Sequence, residues 1–306
     1  MAGVNRVAVM GASGSVGRQV CAAFSRSGQS VLAVARRPAD HLSAYRFRSV
    51  DLGAETPEHI AEILVAESAD VVVNATGGWG TTEQEMEYAH VVLTGRLVEA
   101  VALVPRRPRL VHVGTIHEYG PVPEGTLIDE KIEPAPQTPY ARTKLAGSEA
   151  VLHAARDGRI DGVVLRAVNL CGPHPAPPSF LGYLHRRLRE ATDGATLELS
   201  IADARRDYLD VRDAAEAVVL AATAPVTGQV INIGRNEAVD LRELVALFIA
   251  AAGFPQDRLR VLDRQVLSKG GDWTRADIRL AQQVLGWRPR ISLAESMGAM
   301  WESEST

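Results

Sequence analysis

Near the start of the 306-residue chain, Val7–Gly17 reads VAVMGASGSVG, in which four apolar residues run directly into three glycines spaced three apart. The apolar run predicts a short buried strand, and the residues that follow predict a helix to about Ser27. Glycine lets the backbone turn tightly and approach a pyrophosphate at the N-terminus of the helix. This order predicts a dinucleotide site, although an ordinary strand-to-helix turn can also carry glycines. The residues expected to contact the dinucleotide are Gly11, Ser13, Gly14, Ser15, Val16 and Gly17.

The first half of the chain alternates between strand-like and helix-like segments. Helical patterns separate further predicted strands at Val31–Ala35, Phe47–Val50, Val71–Asn74, Leu110–Val113 and Val163–Ala167. Because strands that alternate with helices are typical of parallel sheets, we predict an α/β protein. Its fold would be a Rossmann-type, doubly wound parallel sheet covered by helices on both faces.

The pattern changes after about Leu170. Four prolines fall within Cys171–Ser179, so the chain leaves the regular sheet there. We therefore predict a dinucleotide-binding Rossmann domain at residues 1–170, to which residues 207–234 return. A smaller, interleaved substrate-binding lobe would occupy most of residues 171–306.

The composition excludes several classes of protein. Lys and Arg number 33 against 37 Asp and Glu, a net charge of −4, which argues against a nucleic-acid partner. No apolar run approaches 18 residues, so we expect no membrane span, and the N-terminus does not resemble a signal peptide. The two cysteines, Cys21 and Cys171, are too few for a disulfide framework and lack metal-site spacing. We therefore predict a cytoplasmic protein with no metal site.

The end of the second predicted strand indicates which dinucleotide is bound. An acidic residue there would bind the ribose 2′-hydroxyl of NAD, whereas arginine suits a 2′-phosphate. Arg36 and Arg37 follow the strand, and the first acid is Asp40, which favours NADP(H). The plainer interpretation is two solvated arginines, since the chain has three lysines against thirty arginines.

A candidate acid/base pair lies in a predicted helix. Tyr140 and Lys144 are four residues apart and so share one helix face. A phenol with an ordinary pKa near 10 needs a nearby cation to exchange protons at neutral pH, and lysine supplies it. Thr115 ends the strand Leu110–Val113 at the edge where α/β sheets bind ligands. Its hydroxyl is a candidate donor to a substrate carbonyl, or a simple cap of the following turn.

Together these motifs resemble the extended short-chain dehydrogenases/reductases that modify nucleotide sugars. The resemblance runs through nearly the whole chain and keeps the motifs in the family's order. It rests on the motifs at Gly11–Gly17, Asp51-Leu52, Asn74-Ala75, Thr115 before Tyr119-Gly120, Tyr140/Lys144, Arg166 to Pro173, Arg206-Asp207-Tyr208, Ala276-Asp277 and Leu285–Pro289.

The resemblance implies roles for further residues. Asp51 and Leu52 would contact the adenine, and Asn74, Ala75 and Thr76 would continue the cofactor site. The nucleotide-sugar site would comprise Asn169, Arg206 at the diphosphate, and Asp277, while Trp79, His117, Glu118 and the His174 loop would shape the sugar pocket. Simpler interpretations stay open: Asn169 as a turn cap, Arg206 paired with Asp207, Asp277 as a helix N-cap, and His117 beside the nicotinamide. Arg166 and Asp213 are expected to be structural.

The family includes dehydratases, epimerases and ketoreductases. Dehydratases carry an Asp-Glu pair after the catalytic Thr, whereas this chain has Ile116-His117, so we exclude dehydration. Arg36 and Arg37 favour a cofactor that enters as NADPH and leaves as NADP. Such an exchange favours net reduction of a keto sugar. The subclass it resembles most is the dTDP-4-keto-6-deoxyhexose 4-ketoreductases of deoxysugar biosynthesis. The alternatives are a 4-epimerase with tightly bound NAD and a non-catalytic NADP-binding sensor, although the sensors typically lack the Tyr/Lys pair.

The resemblance also implies a homodimer. Family members form a four-helix interface from the helices that correspond to the predicted ones at about residues 82–104 and 140–155. The sequence itself shows only amphipathic helices, which also pack within a monomer.

Overall fold

The computed structural model describes residues 4–78, 80, 82–191, 194, 196–262 and 271–303. The strands in these ranges are β1 (Arg6–Met10), β2 (Ser30–Ala35), β3 (Arg46–Ser49), β4 (Val71–Asn74), β5 (Arg109–Thr115), β6 (Asp161–Ala167), β7 (Asn169–Cys171), β8 (Leu197–Leu199), β9 (Arg205–Asp210), β10 (Gln229–Ile233), β11 (Ala238–Asp240), β12 (Leu259–Val261) and β13 (Trp273–Thr274). The α-helices are α1 (Ser15–Arg26), α2 (Pro57–Ala66), α3 (Glu83–Glu87), α4 (Leu93–Leu103), α5 (Pro139–Arg156), α6 (Phe180–Glu190), α7 (Val211–Ala221), α8 (Leu241–Ala251), α9 (Arg279–Leu285) and α10 (Leu293–Glu302).

Seven parallel strands form the main sheet, in the order β3-β2-β1-β4-β5-β6-β10. Side chains of β1 alternate between two cores: Val7 and Val9 pack on one face of the sheet, and Ala8 and Met10 on the other. The strand is apolar throughout because helices cover both of its faces. The predicted Rossmann-type fold is therefore confirmed.

Helices α1 and α7 cover one face of this sheet, and α2, α4 and α5 cover the other. The strand order reverses at β1, which lies between β2 and β4. Because all seven strands run the same way, the loops after β1, β2, β4 and β5 meet at one carboxyl edge. In open α/β sheets a ligand binds at this reversal point.

A second sheet lies in the C-terminal part. It has the order β11-β9-β13, and β7 also pairs with β9. Its core is separate from the two that flank the main sheet. Of residues 207–234, those up to Asp210 lie in β9 of this smaller sheet. The rest return to the main sheet: α7 packs against it and β10 is one of its strands. None of the helices in the described part is both long enough and apolar enough to span a membrane.

The predicted continuous helix from about Thr82 to Val104 contains an irregularity. Thr82 begins α3 with a capping box formed with Glu85. A π-helical turn, Tyr88–Val92, then separates α3 from α4. Such turns interrupt the regular 3.6-residue periodicity and occur often at functional sites.

Candidate active site

The glycine turn after β1 has the geometry expected of a dinucleotide loop. Gly11 has a φ of +78°, and a Cβ there would lie 2.7 Å from the carbonyl oxygen of Ala75. A Cβ at Gly17 would lie 2.1 Å from the carbonyl oxygen of Gly11. The fold therefore requires these two glycines.

The middle glycine is different. A Cβ at Gly14 would meet only the Gly11 carbonyl oxygen, at 3.4 Å, and Ser13 and Gly14 are both exposed. Gly14 is the N-cap of α1 and has no side chain to occupy the first N–H groups of the helix. A pyrophosphate can approach these groups directly, so the loop fits the dinucleotide that the sequence predicts.

The adenosine end of the predicted cofactor site is formed by the residues after β2 and β3. Arg36 and Arg37 are exposed, and the Ser49 hydroxyl donates to the carbonyl oxygen of Arg36 at 2.9 Å. After β3, the Asp51 carboxylate accepts from the Gly53 N–H at 3.1 Å. Two exposed arginines at the end of β2 are compatible with a ribose 2′-phosphate.

Asn74, at the end of β4, is fully buried and its side chain is occupied. Its amide nitrogen donates to the Thr94 hydroxyl at 3.2 Å and lies 3.0 Å from Nδ1 of His112. Its oxygen accepts from the N–H of Thr76 at 3.1 Å and from the Thr76 hydroxyl at 2.5 Å. Asn74 thus shapes the loop that carries Ala75 and Thr76, the other two residues predicted to continue the cofactor site.

Thr115, Tyr140 and Lys144 come together at the carboxyl edge of β5. Thr138 caps α5 by accepting from the Ala141 N–H at 3.2 Å, which fixes the turn that carries Tyr140. The Thr115 hydroxyl is hydrogen-bonded to the Tyr140 phenol. The same hydroxyl accepts from the His117 N–H at 3.4 Å, so Thr115 both caps the turn and contacts the tyrosine. Lys144 is buried, and its Nζ donates to the carbonyl oxygen of Val113 at 2.7 Å.

The surroundings keep the Tyr140 phenol protonated. Burial raises the pKa of Tyr140, the Glu118 carboxylate raises it further, and the bond from Thr115 lowers it. For Lys144, burial lowers the pKa and the Glu118 carboxylate raises it. The pKa of Tyr140 is thus raised overall, the opposite of the direction that the sequence interpretation expected from Lys144, because burial outweighs the groups that lower it. The neutral phenol can donate a proton.

Glu118 is a site residue whose role the sequence interpretation got wrong. It was expected to shape the sugar pocket, but its side chain is fully buried beneath the catalytic group. It accepts from the Thr115 N–H at 2.8 Å, the Ser148 hydroxyl at 2.9 Å and the Arg166 Nε at 2.7 Å. Glu118 therefore holds Thr115 in place. The spacing from Thr115 to Glu118 is that of a capping box, and it was the available signal.

Arg166 and Asp213 are structural, as predicted. Arg166 pairs with Glu118, and its guanidinium lies 4.3 Å from the centroid of the Tyr119 ring. Asp213 accepts from the backbone N–H groups of Arg290 and Ile291, each at 2.9 Å. Both side chains thus hold parts of the protein together.

The smaller sheet carries two of the predicted sugar-nucleotide residues, Asn169 and Arg206, and a third, His117, contacts one of them. Nε2 of His117 lies 3.2 Å from Oδ1 of Asn169, whose amide donates to the carbonyl oxygen of Asp207 at 3.3 Å. Asn169 begins β7 and Arg206 lies in the adjacent β9. The guanidinium of Arg206 donates to the carbonyl oxygen of Gly271 at 2.8 Å. His117 thus links the end of β5 to the smaller sheet.

The sequence left two simpler interpretations open here: Arg206 paired with Asp207, and Asp277 as a helix cap. The Asp207 carboxylate is occupied by the backbone N–H groups of Arg235, Asn236 and Ala276. Asp277 accepts from the Arg279 N–H at the start of α9 and pairs with the Arg279 guanidinium, as a capping residue would. Trp79 lies outside the described residues.

Two further buried histidines near the site were missed by the sequence interpretation. His90, in the π-helical turn, meets the Tyr140 ring edge-on, with ring centroids 5.4 Å apart. His112, in β5, lies against Asn74. Burial and the charge of Lys144 lower the pKa of both imidazoles. The residues next to each histidine in the sequence form no motif that would have indicated its position near the site.

Comparison with known proteins supports this arrangement. Residues 7–234 match the sequence model of the NAD dependent epimerase/dehydratase family. The chain belongs to this family. This family agrees with the resemblance that the sequence motifs indicated, so the predicted family is confirmed.

Two relatives of the epimerase/dehydratase family and one solved structure match almost end to end. A dTDP-6-deoxy-L-talose 4-dehydrogenase (NAD(P)(+)) of Kitasatospora kifunensis is 39% identical over 305 residues, covering 98% of this chain and 96% of the relative. A GDP-6-deoxy-D-mannose reductase of Pseudomonas aeruginosa is 26% identical and covers 97% of each chain. The structure of MoeE5 in complex with UDP-glucose and NAD has a TM-score of 0.84 at 27% identity, covering 97% of this chain and 98% of that one.

As a member of the epimerase/dehydratase family, the protein is an NAD(P)-dependent oxidoreductase that modifies nucleotide sugars. This confirms that it is an enzyme, as the Tyr140/Lys144 pair predicted. The glycine turn and the loops after β2 to β4 fit the nucleotide part of such a cofactor.

Proposed function

We propose that this enzyme uses NADPH to reduce the C4 keto group of a nucleotide-linked 4-keto-6-deoxy sugar in deoxysugar biosynthesis. The observation that carries the proposal is the Tyr140 phenol hydrogen-bonded to Thr115 at the carboxyl edge of the sheet. A carbonyl that accepts a hydride needs a proton on its oxygen, and a neutral phenol supplies one. The hydride itself is the chemistry that NADPH supplies.

The protein's own residues have distinct tasks in this reaction. Thr115 and Tyr140 both donate to the C4 oxygen, which polarises the carbonyl, and Tyr140 then releases its proton to that oxygen. Lys144 stabilises the resulting phenolate. It also holds the nicotinamide ribose, and for this its ammonium exchanges its hydrogen bond to the carbonyl oxygen of Val113 for one to the ribose. The Glu118 carboxylate keeps Thr115 in position by accepting from the Thr115 backbone N–H.

The choice of NADP(H) rests on Arg36 and Arg37. Both are exposed at the end of β2, where the 2′ position of the adenosine ribose lies in this fold. A guanidinium binds phosphate oxygens bidentately, whereas it offers a 2′-hydroxyl no comparable contact. The Kitasatospora relative is named for NAD(P)(+), so the family tolerates either dinucleotide.

The choice of substrate rests on the relatives and on the smaller sheet. The Kitasatospora protein is named for C4 dehydrogenation of a dTDP-6-deoxy sugar, and C4 reduction is that chemistry in reverse. We propose that Arg206 binds the diphosphate and that Asn169, Asp277, His117 and Trp79 contact the rest of the nucleotide sugar. The contact between Nε2 of His117 and Oδ1 of Asn169 joins these residues to the carboxyl edge of β5, where Thr115 and Tyr140 lie.

The experiment supplies purified protein with a dTDP-4-keto-6-deoxyhexose and either NADPH or NADH. We expect faster loss of absorbance at 340 nm with NADPH, and a C4 hydroxyl in the product by NMR. Tyr140→Phe should abolish turnover and leave NADPH binding within about twofold, while Tyr183→Phe, on an exposed helix face, serves as the matched control. Unchanged turnover in Tyr140→Phe would refute the assignment. Tightly bound NAD carried through purification, with C4 inversion, would favour the epimerase alternative.

We further propose that the enzyme forms a homodimer through α4 and α5. Tyr88, Val92 and Leu103 are large apolar side chains between 38% and 52% exposed along the π-turn and α4. An apolar helix face of this kind packs well against a copy of itself. Analytical ultracentrifugation should show a dimer that Leu103→Glu converts to monomer; a monomeric wild-type protein would refute the proposal.

A further inference from the structure

His90 is a buried polar side chain that meets the ring of Tyr140 without belonging to the predicted acid/base group. It lies in the π-helical turn Tyr88–Val92 and is 2% exposed. A regular helix would shift the register of this turn, so the π-turn determines where the imidazole is placed. A buried imidazole is costly unless both ring nitrogens have partners.

Both nitrogens have partners, on two different elements. Nε2 lies 3.1 Å from the carbonyl oxygen of Gly78, in the loop after β4, and Nδ1 lies 2.8 Å from the Thr143 hydroxyl, on α5. A carbonyl oxygen only accepts, so Nε2 carries the hydrogen. Burial and the Lys144 charge lower the pKa of His90 to about 4, so the ring is neutral and Nδ1 accepts from Thr143. One tautomer satisfies both contacts.

The surrounding backbone leaves the ring no freedom. A Cβ at Gly77 would lie 2.5 Å from Cδ2 of the imidazole, and Gly77 has a φ of +90°. A Cβ at Gly147 would lie 2.4 Å from the carbonyl oxygen of His90, so α5 approaches the π-turn closely. The ring plane meets that of Tyr140 at 84°, the edge-on arrangement that aromatic rings favour.

We propose that His90 is a positioning residue: as a neutral clamp between the Gly78 carbonyl and the Thr143 hydroxyl, it fixes the Tyr140 ring relative to the loop after β4. The part of this inference that concerns catalysis rests on the proposed function, because it takes Tyr140 as the proton donor. The clamp joins the helix that carries the acid to the loop that follows the cofactor-binding strand. Small displacements of a catalytic group slow a reaction steeply.

Loss of the clamp need not unfold the protein. The Thr143 hydroxyl also lies 3.0 Å from the carbonyl oxygen of Pro139 and 3.1 Å from that of Tyr140. Without an acceptor at His90, it turns back onto its own helix and stays hydrogen-bonded. What is lost is the tether between α5 and the loop, which affects the position of Tyr140.

Three substitutions separate the two contacts. His90→Asn keeps an acceptor near Thr143, His90→Gln keeps a donor near Gly78, and His90→Phe keeps only the ring. We expect kcat to fall about 10- to 100-fold in His90→Phe and less in the other two, with NADPH affinity within about twofold of wild type. Thr143→Val should match His90→Gln, and combining them should lower kcat no further. His185→Phe, a buried histidine stacked on Phe248 in the smaller lobe, is the control for general destabilisation.

The pH profile distinguishes positioning from a purely structural role. The titratable groups that face the imidazole are Lys144, Tyr140 and His112. Burial is the main reason that the pKa of Tyr140 is raised, and the smaller, polar side chain in His90→Asn lessens that burial, whereas the apolar ring in His90→Phe keeps it. The basic limb of kcat for reduction should therefore move to lower pH in His90→Asn and stay in place in His90→Phe and in His185→Phe. An unmoved limb in His90→Asn together with a wild-type kcat in His90→Phe would overturn the inference.

A readout without substrate tests the clamp itself. In protein labelled with ¹⁵N-histidine, the His90 signals are those missing from the His90→Gln spectrum. We expect a neutral ring protonated at Nε2 from pH 6 to 8, whether or not any keto sugar is reduced. A ring protonated at Nδ1 would overturn the clamp. An inactive wild-type enzyme with the Nε2 tautomer would instead refute the proposed function alone.

Discussion

Arg166→Met removes the positive half of a buried ion pair. The Arg166 Nε lies 2.7 Å from the Glu118 carboxylate, and the two side chains are 4% and 0% exposed. Methionine fills much of the volume of arginine but carries no charge. Glu118 then keeps only the Thr115 N–H and the Ser148 hydroxyl as donors.

The expected cost is large because the carboxylate cannot reach water. Removing one partner of a buried pair destabilises a protein by about 3–5 kcal/mol. The lost contact of the guanidinium with the Tyr119 ring adds about 0.5–1 kcal/mol. We therefore expect Arg166→Met to lower the free energy of unfolding by about 3.5–6 kcal/mol.

The matched variant is Glu118→Gln combined with Arg166→Met. Its glutamine oxygen still accepts from Thr115 and Ser148, and no buried charge is left without a partner. Charge-free replacements of buried pairs are often near neutral, so the double variant should lose less than about 2 kcal/mol. Removing the Glu118 charge should also move the basic limb of activity to lower pH, because that charge raises the pKa of Tyr140.

Urea unfolding, followed by circular dichroism and tryptophan fluorescence, measures both variants. The slope of free energy against urea should stay unchanged, so that the midpoint reports stability. The reasoning is refuted if Arg166→Met lies within about 1 kcal/mol of wild type. It is refuted equally if the double variant is less stable than Arg166→Met.

Three further predictions concern the cofactor loop and pH. Arg36→Ser with Arg37→Ser should weaken NADPH binding about 10- to 150-fold and leave NADH binding unchanged by fluorescence titration, since loss of the charge-assisted contact with the 2′-phosphate costs about 1.5–3 kcal/mol. An equal loss for both dinucleotides would contradict the 2′-phosphate site. Gly14→Ala should keep the wild-type melting temperature and lose NADPH affinity, whereas Gly17→Ala should lose stability, because its Cβ would lie 2.1 Å from a backbone carbonyl oxygen. Since the folded pKa of His90 is about 4 and the unfolded one 6.5, the unfolded chain binds more protons between these values, and stability falls as pH drops from 6.5 to 4. His90→Gln should flatten this slope by up to about 1.4 kcal/mol per pH unit in urea unfolding; an unchanged slope would contradict a neutral buried ring.

The features that local sequence determines were predicted well. The run Val7–Gly17 contains its own strand, turn and helix start, and both the parallel sheet and the positions of its first strands along the chain followed from such runs. Tyr140 and Lys144 were found because four residues bring side chains onto one face of a helix. Each of these inferences needs only neighbours in the chain.

The contacts that could not be predicted join residues far apart in sequence. Glu118 meets Ser148 across 30 residues and Arg166 across 48, and His90 meets Thr143 across 53. Glu118 was assigned to the sugar pocket because it follows His117, but the turn that begins at Thr115 directs it inward. The π-turn that directs His90 inward leaves no mark in a helical pattern, since its extra residue is fitted by tertiary packing.

The groups around Tyr140 determine how it exchanges its proton. Burial and Glu118 both raise the pKa of Tyr140, so the phenol is neutral before the reaction. A raised pKa also makes the phenol a weaker acid, so its proton leaves only when the incoming hydride makes the C4 oxygen strongly basic. Lys144 lies four residues further along α5, and burial lowers its pKa while Glu118 raises it. Reduction and epimerisation both use this phenol, so the choice between them rests on Arg36 and Arg37.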